Sequence, residues 1–212
     1  VTIKAFRTAL LCVAAVPLTA RAQADWPRFG FDAAGTNSST APAGIAAADL
    51  GKLRAQRITL PGTVDASAIY LHGVTVRGAA HDVFFVTTSY GITVAIDADS
   101  GTILWQHVPK GYDSWAGTSQ MTTSTPVADP GRAFIYAANP GGTVEKLAVT
   151  DGSAAWSTSI TQLPRREKIA SALNFVRGRV IATTGGYIGD ASPYQGHVAL
   201  IDAASGRLVD CL

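Results

Sequence analysis

The sequence predicts an all-β fold: a partial β-propeller of about three four-stranded antiparallel blades, cut from a larger propeller of about seven or eight. Three observations predict it. Of 212 residues, 47% are apolar, only 15% are charged and 21 are glycine, which suits a packed core with many tight turns and argues against disorder or a helical bundle. A glycine turn recurs at Gly101, Gly152 and Gly206, separated by 51 and 54 residues, close to the ~40–50 of a four-stranded blade. Runs such as Val83-Phe84-Phe85-Val86 and Ala133-Phe134-Ile135-Tyr136-Ala137 are nearly continuously apolar, as in strands covered on both faces.

Residues 1–24 have the grammar of a secretory signal. Lys4 and Arg7 precede the apolar run Ala9–Val16, and Ala22 and Ala24 flank Gln23 at a cleavage site before Asp25. The run is too short to cross a bilayer, which takes about 20 residues, and the mature chain is expected to have no transmembrane segment. Removing it takes away Lys4, Arg7 and Arg21, so 17 basic against 15 acidic residues become 14 against 15. A mature chain near neutrality lacks the clustered cations that nucleic acid demands. The expected location is periplasmic or extracellular.

Residues 25–60 form a segment leading into the propeller, with one helical turn near 46–54. Residues 61–212 divide into blades at about 61–110, 118–160 and 168–212. Strands are expected near 66–71, 82–88, 91–97 and 102–108; near 122–127, 133–138, 142–149 and 153–159; and near 170–175, 179–184, 197–202 and from 207 onward. The chain ends as its third blade enters its last strand. It is therefore expected to be a piece of a longer protein, with completion by another chain as the alternative.

The repeat has a physical logic. Gly101, Gly152 and Gly206 supply the positive φ of a tight hairpin turn. Asp97 and Asp202 are placed to accept hydrogen bonds from turn amides. Trp105 and Trp156, each four residues past its glycine, are placed on the outermost strand to cover the seam to the next blade.

The pattern Ala95-x-Asp97-x-x-Ser100-Gly101-x-x-x-Trp105 resembles the tryptophan-docking motif of pyrroloquinoline quinone (PQQ) propeller repeats. Asp25-Trp26-Pro27-Arg28-Phe29-Gly30 and Asp49-Leu50-Gly51-Lys52-Leu53 resemble the start of PQQ-dependent alcohol dehydrogenases and their propeller relatives. The resemblance implies two activities: a binding or scaffold propeller whose partners are other envelope proteins or further blades, or a dehydrogenase using PQQ and calcium on an alcohol or sugar. The sequence departs from the dehydrogenases in having no adjacent cysteine pair and in residues 111–118. It departs from the repeat at Ala148, in the place of Asp97, and at Asp210, in the place of a third Trp.

No catalytic or metal motif stands out, and His72, His81, His107 and His197 read as surface or turn residues. The run Arg165-Arg166-Glu167-Lys168 reads as a solvated connection. Two stretches are candidate sites. The loop at 185–197 carries Asp190, Tyr194, Gln195 and His197, a set suited to a ligand or cation, on the kind of long loop where function concentrates. Tyr112 and Trp115, with Met121 nearby, form an aromatic patch able to stack on a flat ligand or to pack in a seam.

Overall fold

A computed structural model describes residues 24–42, 44–187 and 192–212. The predicted signal, apart from Ala24, and Asp190 lie outside the described residues. Among them, three antiparallel sheets follow one another along the chain. The first holds β1 (Ile69–Val76), β2 (Ala79–Thr87), β3 (Thr93–Asp97) and β4 (Ile103–His107), in that order. The second holds β5 (Val127–Ala128), β6 (Phe134–Asn139), β7 (Thr143–Ala148) and β8 (Ala154–Ser159). The third has five strands: β9 (Glu167–Ile169) and β10 (Asn174–Val176) both pair with β11 (Arg179–Gly186), followed by β12 (Val198–Asp202) and β13 (Leu208–Cys211).

Alternation along the strands explains why the sequence runs look uniformly apolar. In the first blade Ile69, Leu71, Val83, Phe85 and Ala95 pack with Ala128, Ile135, Ala137 and Leu147 of the second. The intervening Val86, Val94 and Ile96 point to the opposite face, which Ile58, Leu60 and Val64 cover. Val127, Tyr136 and Val144 pack with Val180, Ala182, Ala199 and Ile201 of the third blade. Each seam thus contains a layer of packed apolar side chains, the main stabilising term of such a fold.

The innermost strands differ from the expectation, for a local reason. The segment expected at 122–127 pairs with its own sheet only at Val127–Ala128, because Thr122, Thr123 and Ser124 instead donate their hydroxyls to the carbonyls of Ile169, Ala170 and Ser171. Pro126 also has no N–H to give. On the other side of that seam the strand expected at 170–175 splits into β9 and β10, and Leu173 N–H donates to Thr125 O between them.

The N-terminal segment crosses all three blades. Trp26 exchanges both backbone hydrogen bonds with Tyr70 at 2.8 and 2.9 Å, Ala128 N–H donates to Pro27 O at 2.8 Å, and Arg28 donates to Phe175 O at 3.0 Å. Asp25 accepts from His72 N–H at 2.8 Å and forms an ion pair with Arg132 at 2.9 Å. The expected helical turn is a 3-10 turn at Ala47–Lys52.

Candidate functional site

The repeated residues build the seams. Asp97 Oδ1 accepts from both the amide and the hydroxyl of Ser100 at 2.7 Å, and its Oδ2 lies 2.7 Å from His81 Nδ1. The Ser100 hydroxyl, then its amide, then His81 pull the Asp97 carboxyl down to about 2. Asp202 accepts from the amide and hydroxyl of Ser205 at 2.9 Å, and its acidity is raised in the same way. In the second blade Ala148 offers no carboxylate, and Asp151, held below its ordinary value by Ser153, closes the turn instead. Gly101, Gly152 and Gly206 have φ of 72°, 75° and 74°, the left-handed region expected of them.

Each tryptophan reaches into the next blade. Trp105 is only 2% exposed, donates its Nε1–H to Val149 O at 2.9 Å and lies on Gly152, where a Cβ would come within 2.5 Å of the ring. Half-buried Trp156 donates to Ala203 O at 3.2 Å and lies on Gly206, with a corresponding approach of 2.8 Å. The glycines therefore serve two ends at once: they turn the hairpin, and they leave room for the preceding blade's ring.

The aromatic patch packs internally. Trp115 is 6% exposed, its ring lies against Gly111 and Gly141, and its Nε1–H donates to Tyr90 O at 3.0 Å. Tyr112 packs beneath the first blade's outer face and meets Tyr90 edge-on, with ring centres 6.5 Å apart.

The 185–197 loop behaves differently. Tyr194, Gln195 and His197 line a cleft of about 760 Å³ together with Ser159–Leu163, Glu167, Leu208 and Cys211. In β12 and β13, Ala199 and Ile201 face the second blade and pair with Cys211 and Leu208, so the cleft opens between the second and third blades. At its base is Glu167, which the sequence reading had placed in a solvated run and which is 1% exposed. Glu167 Oε1 accepts from Gln195 N–H at 3.1 Å and lies 3.4 Å from His197 Nε2, while Oε2 accepts the Thr161 hydroxyl. The Thr161 hydroxyl in turn accepts from Leu163 N–H at 2.9 Å. One carboxylate thus ties both walls of the cleft together. The signal for it was present in the sequence: Glu167 sits two residues before Ile169 on a strand, and period two places it on the same buried face.

The histidines also differ from the expectation of plain surface residues. His72 lies 2.7 Å from Asp82, His81 2.7 Å from Asp97, His107 3.3 Å from Glu145 and His197 3.4 Å from Glu167. Every histidine of the sequence is thus paired with a carboxylate. His107 and Glu145 join the first blade to the second.

PQQ and calcium, which the resemblance implies for a dehydrogenase, require converging oxygen ligands and a stacking surface. Among the described residues no three His, Cys, Asp or Glu side chains converge on one point, and Trp115 has its ring committed to a seam. These residues do not fit either group.

Antiparallel four-stranded sheets packed face to face, each sealed by a ring from the one before, define blades of a β-propeller. A family model described as outer membrane protein assembly factor BamB, a PQQ-like repeat model, matches residues 51–210, and the chain belongs to that PQQ-like propeller family. It is 29% identical over 135 residues to the quinohemoprotein alcohol dehydrogenase ADH IIB of Pseudomonas putida, a match covering 60% of this chain and 18% of that protein. Its fold is similar to the quinohemoprotein alcohol dehydrogenase of Comamonas testosteroni, with a TM-score of 0.58 and 21% identity over 89% of this chain and 27% of that one. It is also similar to ADHIIG from Pseudomonas putida HK5, with a TM-score of 0.65 and 20% identity over 87% and 26% of the respective chains. The chain therefore spans about a quarter of the solved relatives it matches.

Proposed function

We propose that this chain is part of an exported PQQ-like propeller that acts as a binding or scaffold protein of the cell envelope. The observation that carries this reading is where the chemically capable side chains are engaged. Asp97, Asp151 and Asp202 close hairpins, Trp105 and Trp156 seal seams, and Trp115 packs between Gly111 and Gly141. The match to a family model named for an envelope assembly factor points the same way. No helix among the described residues is long and apolar enough to cross a membrane.

A second reading, a PQQ-dependent alcohol or sugar dehydrogenase, is favoured by the sequence match to ADH IIB. In it the quinone would carry the redox chemistry, and the protein would supply the binding channel and the catalytic base. One experiment separates the two. Full-length protein is dialysed against PQQ and calcium, then assayed with alcohols and sugars and a dye acceptor. The binding reading expects no retained quinone and no dye reduction. Stoichiometric quinone with substrate-dependent reduction would replace it by the dehydrogenase reading. Fusing residues 1–24 to a reporter and fractionating cells tests export independently.

A further inference from the structure

We propose that the cleft between the second and third blades binds an organic ammonium ion carrying an apolar substituent. The inference goes beyond the scaffold reading and stands whether or not a quinone binds elsewhere. Charge is the first argument. Among the described residues no lysine or arginine lines the cleft, and the fixed charge there is that of Glu167. Two donors converge on that carboxylate, the Thr161 hydroxyl and the Gln195 amide, and His197 Nε2 lies 3.4 Å away. At 1% exposure its field is poorly screened by solvent and reaches into the cleft. An anionic ligand would meet this field with no cation to answer it.

Shape is the second argument. Ile160, Leu163 and Leu208 give apolar wall from both blades. A volume of about 760 Å³ suits a small organic molecule. Because Glu167 holds both walls, through Thr161 on one side and Gln195 on the other, the cleft is formed before any ligand arrives.

The second blade contributes Ser159–Leu163, none of them charged, and Arg166 is turned away to donate to Ser192 O at 3.1 Å.

The test is calorimetry on the full-length protein with three ligands of one carbon skeleton: 3-phenylpropylammonium, 3-phenylpropanol and 3-phenylpropionate. At about pH 7.5 the cation is expected to bind about tenfold more tightly than the alcohol, and the anion most weakly. Leu208→Trp, which fills the cleft from the third blade, is expected to abolish binding; should it fail to fold, Leu163→Trp fills the cleft from the opposite wall. The proposal is overturned by absent cation binding, by equal binding of cation and alcohol, or by binding that survives a filled cleft.

Discussion

The two seams are built to one register and closed to different degrees. Ala95 pairs with Trp105, Lys146 with Trp156 and Leu200 with Asp210, so the tryptophan position is the same in every blade and is vacated in the third. At the first seam Trp105 is buried and His107 reaches Glu145 on β7. At the second, Trp156 is half-buried, and the residue matching Glu145 by register is Ala199, opposite Cys211. Alanine has nothing to reach back with. The carboxylate at this seam comes instead from the innermost strand, where Glu167 pairs with His197 of its own blade, and the space between the blades remains open. The cleft thus lies beside a seam that lacks the cross-blade carboxylate–histidine pair of the first.

This contrast can be tested by removing its parts. Trp105→Ala should cost about 4 kcal/mol in urea unfolding of the full-length protein, and Trp156→Ala about half as much, because its ring is only half-buried. Equal losses would mean that the seams are energetically alike and that the cleft is incidental. Gly152→Ala should cost about 3 kcal/mol, combining a left-handed φ with a Cβ pressed into Trp105, and Gly206→Ala about 2 kcal/mol, since its ring has more freedom to yield. His107→Ala should cost about 2 kcal/mol by leaving the buried Glu145 without its partner, and replacing both residues by Met and Leu should recover most of that.

The smallest effect is a pH dependence. Asp97 is held at about 2 in the folded chain, below the ~3.9 of an unfolded aspartate, so its contribution is complete above about pH 4 and is lost as pH falls toward 2. Asp97→Asn should flatten acid unfolding over that window. Ala148→Asp in the second blade, where Asp151 stands in the place of Ser100, should add no comparable slope.

The blades were legible in the sequence because their signals are local. A glycine with positive φ, an aspartate directly after an apolar pair and a tryptophan four residues past the glycine are each read within a dozen residues, and the strands at 133–138, 142–149 and 153–159 lie within two residues of β6, β7 and β8. The site was legible only in part. Tyr194, Gln195 and His197 did meet in one cleft, but Glu167 was hidden among Arg165, Arg166 and Lys168, whose charges suggest a solvated run. Its burial depends on partners 6 and 28 residues away, Thr161 and Gln195, and no local pattern reports them. The shortened inner strands were missed for the same reason: hydroxyls of one blade satisfy carbonyls of the next across 47 residues.

The strap at the N-terminus sets an order of events. Arg28 is synthesised early, yet its acceptor Phe175 follows 147 residues later, and Arg132 follows Asp25 by 107. At ~5–20 residues per second that interval lasts roughly 7–30 s, during which Asp25–Phe31 has no finished surface to lie on. Loop closure over such a span disfavours early docking further. The segment Asp25–Phe31 is thus expected to dock late, as a clasp that fastens once all three blades stand side by side.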